Sequence, residues 1–155
     1  MSTKSMMARA NKDFERSLAK YVKKVDKVGT KGIRSVALVC LKSLMMKSPV
    51  DEGTFRANWN VGVNNIDEST KGETGGTVKR TEKGKATKKA IDPEKFAEGE
   101  QRIGGIDVGN SVNISNALPY AMRLEKGDSK QASAGIVTPT LIQVKNELDR
   151  QNKKV

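Results

Sequence analysis

The sequence contains no histidine and only one cysteine, and these two shortages exclude most enzyme chemistry. Histidine is the commonest general base and metal ligand, and one cysteine cannot form an intrachain disulfide or a cysteine-based zinc site. Cys40 lies in the apolar run 36–41, so we expect a small packed side chain and not a nucleophile. Asp51 and Glu52 are neighbours in a turn, which is ordinary loop composition. We therefore predict a protein that is not an enzyme, with no catalytic residue, no metal and no cofactor.

Aromatic residues and long apolar runs are also scarce. Aromatics make up 4% and hydrophobic residues 35% of the 155 residues, so the core is modest and assembly with other chains is a natural way to complete burial. The longest apolar run is far shorter than the ~20 residues that cross a bilayer. The amino terminus lacks the apolar region of a signal peptide. We expect one domain over residues 1–155, made in a cytoplasm and without a membrane partner.

Basic residues are what the sequence has in excess. Lysine and arginine number 29 against 18 acidic residues, a net charge of +11, and residues 1–50 hold twelve basic and three acidic side chains. A second basic cluster lies at residues 77–89. Such surfaces suit nucleic acid or an acidic protein, although a solvated basic face is the slightly favoured explanation. The possible contacts to DNA or an acidic partner in this cluster are Lys79, Arg80, Lys83, Lys85, Lys88 and Lys89.

Hydrophobic spacing predicts an α+β fold with two amino-terminal helices, a small mostly antiparallel sheet with a long inserted loop, and a carboxy-terminal helix. The helices predicted from apolar positions cover residues 8–28, 31–47 and 136–150. Residues 119–125 are predicted as a short helix with a proline near its start. The strands predicted from period-two alternation cover residues 54–64 and 106–116, the second with a hairpin turn near Gly109. The inserted loop is residues 65–105, with a short helix near 93–100. Residues 151–155 should fray.

Two separated stretches carry the most specific pattern of the chain. The first is Ser48-Pro49-Val50-Asp51-Glu52-Gly53-Thr54-Phe55-Arg56-Ala57-Asn58-Trp59, and the second extends from Ile114 to Ser129 through Asn116, Pro119-Tyr120-Ala121 and Leu124-Glu125-Lys126-Gly127. An aspartate that accepts backbone N–H bonds and a glycine with positive φ set how a helix meets the next strand. Trp59 suits the core or an interface, and the core is the better fit.

Together these stretches resemble the neck and tail-completion proteins of tailed bacteriophages, the family of lambda minor tail protein Z and related head–tail joining proteins. The resemblance covers residues 30–64 and 106–150. It implies a structural virion protein, made in the host cytoplasm, that forms a ring of six or twelve copies around the DNA channel. The implied neighbours are the portal, an adaptor, the tail terminator, the tail tube and the packaged DNA. The motif and interface candidates are Pro49, Asp51, Gly53, Arg56, Trp59, Asn116, Pro119, Tyr120, Arg123, Glu125 and Gly127.

The alternative interpretation is a small basic nucleic-acid-binding protein, and an enzyme is a distant third. A closed ring favours the phage neck. A monomer or dimer that binds duplex DNA at moderate salt favours the alternative, because phosphate contacts weaken steeply as salt rises.

Overall fold

The structure, a computed structural model, describes residues 2–24, 29–49, 54–70, 91–107 and 109–154. The helices are α1 (Thr3–Lys24), α2 (Gly29–Lys47), α3 (Thr54–Ala57), α4 (Pro93–Gly104), α5 (Ala121–Glu125) and α6 (Val137–Lys154). The strands β1 (Asn60–Val63) and β2 (Val112–Ser115) pair antiparallel, with Val61 opposite Ile114. The predicted α+β class, with two amino-terminal helices, a small antiparallel sheet and a carboxy-terminal helix, is confirmed. Asp51, Gly53 and the basic cluster at 77–89 lie outside the described residues.

The core lies where α2 meets the sheet, α4 and the segment before α6. Leu41 and Met45 of α2 are fully buried, and they belong to one cluster with Trp59, Ile103 and Ile136. Burying each large apolar side chain contributes roughly 1.5–3 kcal/mol. The central position of α2 follows from its apolar residues, which cover most of the helix surface.

Helix α1 packs along α6, so the two ends of the chain are joined. The Ser17 hydroxyl donates to Asp149 Oδ1 at 2.7 Å, and the Asn152 amide donates to the Ser17 carbonyl at 3.3 Å. Hydrogen bonds from Lys145 and Ser17 lower the pKa of Asp149. The prediction that residues 151–155 fray is wrong over 151–154, because Asn152 is buried against α1 and the helix continues to Lys154.

The predicted strand 54–64 is wrong over its first half, since residues 54–57 form the helical turn α3 and only 60–63 pair with β2. The alternation is real, because Phe55, Ala57, Trp59 and Val61 are all buried. The polar positions between them are buried too, and each donates to a backbone carbonyl. These bonds are Arg56 to Ser48 at 2.9 Å, Asn58 to Thr54 at 2.7 Å and Asn60 to Ser69 at 2.6 Å.

The predicted strand 106–116 is paired only over 112–115. Ile106 is fully buried, and its carbonyl accepts from the Arg34 guanidinium at 2.7 Å. The predicted turn forms at Gly109, whose φ is +98°, but the described residues before it are not in a strand. The turn therefore leads into β2 and is not a hairpin.

The predicted loop 65–105 contains the twelve-residue helix α4. The predicted helix 93–100 is confirmed and extends to Gly104, with the Asp92 carboxylate accepting the Lys95 N–H at 3.0 Å as its cap. Ile103 is fully buried, and Gly99 lies directly against Leu41 of α2. Helix α4 therefore packs one face, with Gly99 and Ile103, against the core. Hydrophobic spacing does not predict this packing, because Gly99 has no side chain and so allows Leu41 of α2 to approach the α4 backbone closely.

Replacing Gly99 with alanine should destabilise the protein by about 1 kcal/mol, although alanine favours helices by about that amount over glycine. A Cβ there would lie 2.5 Å from Leu41 Cδ2 and 3.1 Å from Val61 Cγ2, so the core would have to shift. Gly104→Ala is the matched control, because a Cβ at Gly104 meets nothing within 4 Å. Urea unfolding of both variants measures the difference. Gly99→Ala at least as stable as Gly104→Ala would show that α4 is not packed on α2.

Candidate assembly interface

The two stretches that carry the resemblance meet in space beside the end of α2. The Asn116 amide donates to the Phe55 carbonyl at 2.9 Å, across a sequence separation of 61 residues. The Phe55 ring lies 5.9 Å from the Tyr120 ring and 5.7 Å from the Trp59 ring, which it meets edge to face. The structure thus brings the aromatic residues of both stretches into one cluster.

Trp59 and Arg56 fasten the first stretch to the carboxyl end of α2. Trp59 is 4% exposed, and its indole N–H donates to the Ser48 hydroxyl at 2.8 Å. The buried Arg56 guanidinium donates to the Ser48 carbonyl at 2.9 and 3.1 Å, and burial lowers the pKa of Arg56. The last carbonyls of a helix need such donors, and a cation there also suits the helix dipole. Trp59 therefore lies in the core, which confirms the prediction.

Glu125 fastens the second stretch to the start of α6. Its buried carboxylate accepts three backbone N–H groups, from Ile136 at 2.8 Å, Val137 at 2.7 Å and Thr138 at 3.0 Å. These donors have no partner within the helix, and a negative charge suits the positive end of the helix dipole. Glu125 thus caps a helix that begins twelve residues later in the sequence.

The two glycines near this cap allow the chain to approach it closely. Gly135 has a φ of +86°, and a Cβ there would lie 2.6 Å from the Glu125 carbonyl oxygen. Gly127 has a φ of +93° and lies against the Ser133 carbonyl. The sequence predicted Glu125 only as a motif and interface candidate, and this cap was missed. The available signal was the start of α6 at Gly-Ile-Val, which offers no Ser, Thr, Asp or Asn just before the first turn.

Part of the second stretch lies at the surface. Pro119 and Tyr120 are exposed, and Arg123 lies 3.4 Å from Asp128 in a pair that is mostly solvated. Such a pair contributes only ~0–1 kcal/mol. Met122, beside them on α5, is 52% exposed. Pro119, Tyr120, Met122 and Arg123 therefore form an outward surface, here called the α5 patch.

A groove with a volume of about 550 Å³ opens between α1, α2, β2 and α6, and is here called the α1–α2 groove. Its apolar lining residues include Phe14, Leu18 and Val22 of α1, Ile33, Val36 and Cys40 of α2, and Leu141 of α6. Residues 110–115, which contain β2, border it as well. Burial raises the pKa of the Cys40 thiol to about 11, so the thiol is protonated at neutral pH.

Helix α1 presents a basic outer surface. It holds seven basic and two acidic residues, and Lys12, Arg16, Lys20 and Lys23 are all exposed. Among the described helices, α1 included, none combines the length and apolar character that crossing a bilayer requires. The basic side chains of α1 are therefore exposed to solvent, and the same helix contributes apolar side chains to the α1–α2 groove.

Comparisons with known proteins give no relative to reason from, since no protein-family model, curated protein or solved structure matches the chain. Within the described ranges, no group of three or more His, Cys, Asp or Glu side chains is placed to hold a metal ion. The hydrogen bonds of Arg56, Asn116 and Glu125 in the two stretches join secondary-structure elements to one another. On the part of the chain that the structure describes, the candidate surfaces for partner contacts include the α5 patch, the α1–α2 groove and the basic face of α1.

Replacing Glu125 with glutamine should destabilise the protein by about 1–3 kcal/mol, because one carboxylate oxygen becomes an N–H donor aimed at backbone donors. The matched control is Glu100→Gln on the exposed face of α4, which should change stability by less than about 0.5 kcal/mol. Thermal and urea unfolding measure both. Equal stability of the two variants would contradict the capping role of Glu125.

Proposed function

We propose that the chain is a structural subunit of the neck of a tailed bacteriophage, a tail-completion or head–tail joining protein that forms a ring around the DNA channel. The observation that supports this best is the joint built by the two stretches of the resemblance. Arg56 and Trp59 fix the end of α2, Glu125 fixes the start of α6, and Asn116 links the two stretches. These residues set the angles between elements, which is the requirement of a building block and not of a reaction centre.

A ring also requires each subunit to present two different faces, because head-to-tail contacts close a ring only when one patch meets another. The α5 patch and the α1–α2 groove are two such apolar surfaces on the described part of the chain. Exposed apolar side chains beyond isolated ones mark contact sites. In this proposal the ring occupies the virion neck, in six or twelve copies, beside the portal, an adaptor, the tail terminator or the tail tube.

The basic face of α1 supports a second candidate, a small nucleic-acid-binding protein. Four exposed cations on one helix can neutralise phosphates, and affinity for DNA would then fall steeply with added salt. Within the neck proposal, the same face meets packaged DNA or an acidic neighbouring ring. The two candidates differ in where the chain is found after infection.

The neck proposal is tested by removing the chain from a phage that encodes it and complementing with variants. We expect unjoined heads and tails without the chain, and six or twelve copies per particle by quantitative mass spectrometry of complemented virions. Met122→Glu on the α5 patch should abolish rescue by placing a charge in a packed contact. Ile142→Glu is the matched control, because Ile142 of α6 is 49% exposed and lies outside the patch.

Purified infectious particles that lack the chain would contradict the proposal. Retention of duplex DNA that disappears at high salt, together with absence from particles, would favour the nucleic-acid-binding protein instead. Equal rescue by Met122→Glu and the unchanged chain would remove the α5 patch from the assembly contacts.

A further inference from the structure

We propose that α1 is a releasable arm, which detaches from α6 and unfolds while α2, the sheet and α4 stay folded around the core. This inference goes beyond the neck proposal and does not require it. It rests on three features of α1: its contacts lie apart from the core, few of its residues are buried, and its polar bonds to α6 centre on one serine.

The buried apolar contacts of α1 lie outside the cluster that forms the core. Within the described ranges, no residue of α1 belongs to that cluster or to the apolar residues packed against it. Ala10 of α1 and Val144 and Leu148 of α6 are buried, and they too lie outside the cluster. Helix α1 packs along α6, whereas α2 packs on both α4 and α6. Release of α1 therefore leaves the core cluster intact, and α6 keeps its contact with α2.

Little of α1 is buried even while it is docked. Among residues 2–23, only Ala10 and Ser17 are buried. Leu18 and Val22 line the α1–α2 groove, whose open volume of about 550 Å³ lies between α1 and α2. A segment with few buried apolar contacts opens at a lower free energy than the core does. Most of the stability of a helix within a protein comes from packing, so α1 unfolds once it is released.

The polar bonds between α1 and α6 centre on Ser17. Its hydroxyl donates to Asp149 Oδ1 at 2.7 Å, and its carbonyl accepts from the Asn152 amide at 3.3 Å. Lys145 of α6 lies 2.8 Å from the other oxygen of Asp149, so this carboxylate keeps a charged partner after release. Water can replace Ser17 at both bonds, and for that reason each bond adds little net stability to docking.

Release of α1 would remove two of the surfaces proposed for partner contacts. Docked α1 supplies one wall of the α1–α2 groove, and its outer face carries the exposed cations Lys12, Arg16, Lys20 and Lys23. Both surfaces exist only while α1 is helical and docked. A partner that binds either surface therefore favours the docked arm, because binding to one state raises its population. The arm thus regulates these contacts.

The test is hydrogen exchange of the full-length chain, followed residue by residue and corrected for intrinsic exchange rates. We expect the amides of residues 8–22 to share one opening free energy, because the arm is released as a unit. They should exchange at least about tenfold faster than the most protected amides of α2 and α4, which exchange only when the whole chain unfolds.

Matched variants separate release from global unfolding. Val61 and Val144 are both 2% exposed, but only Val61 belongs to the core cluster. Val61→Ala should speed exchange of the α2 and α4 amides about tenfold or more and leave the α1 amides unchanged, since release does not disturb Val61. Val144→Ala should speed exchange throughout α1 by about tenfold or more. Ser17→Ala, a milder change, should speed it about two- to tenfold.

Three results would overturn the inference. The first is α1 amides that are as protected as those of α2 and α4. The second is an equal effect of Val61→Ala on α1 and on the core, which would show that α1 opens only with the whole chain. The third is exchange in α1 that Val144→Ala and Ser17→Ala both leave unchanged. Since exchange is measured on the purified chain, its failure leaves the virion test of the neck proposal unaffected.

Discussion

A single buried carboxylate holds the carboxy-terminal half of the fold together. Glu125 accepts three backbone N–H groups at the start of α6, at 2.7 to 3.0 Å, and so fixes where that helix begins. Because α6 packs along α1 and also meets α2, the positions of both amino-terminal helices depend on this cap. The position of the α1–α2 groove depends on it in turn.

The joint at the other end of the core follows the same physical rule. Helix α2 ends at Lys47, and Ser48, Arg56 and Trp59 supply hydrogen-bond donors at this carboxyl end. Helix α6 receives the opposite partner, because the Glu125 carboxylate supplies acceptors at its amino end. Cations and N–H donors suit one end of a helix and carboxylates suit the other. The two stretches that stand out in the sequence are therefore the two sets of helix-end partners, brought together by the Asn116 bond to Phe55.

Much of this fold could be predicted from hydrophobic spacing, and the failures have physical causes. The helices α1, α2 and α6 follow the pattern of apolar positions, and α5 lies in the segment predicted as a short helix after Pro119. The antiparallel pairing involves the predicted strand regions. Alternation at 54–59 suggested a strand, but buried polar side chains bond to nearby carbonyls and favour a helical turn instead. The packing of α4 on the core was not predicted from the sequence, because its contact with α2 occurs at Gly99, which has no side chain. The cap by Glu125 joins residues eleven to thirteen apart, which local sequence patterns do not register. The prediction for Asp51 and Gly53 stays untested.

The proposed neck role requires the chain to act by binding its neighbours through three surfaces, which are the α5 patch, the α1–α2 groove and the basic face of α1. The measurement that tests this role most directly is electron cryomicroscopy of an intact phage particle that encodes the chain. We expect density for this fold in a closed ring between head and tail, with the α5 patch covered by a neighbouring subunit. A particle reconstruction whose neck is fully assigned to other proteins would contradict it.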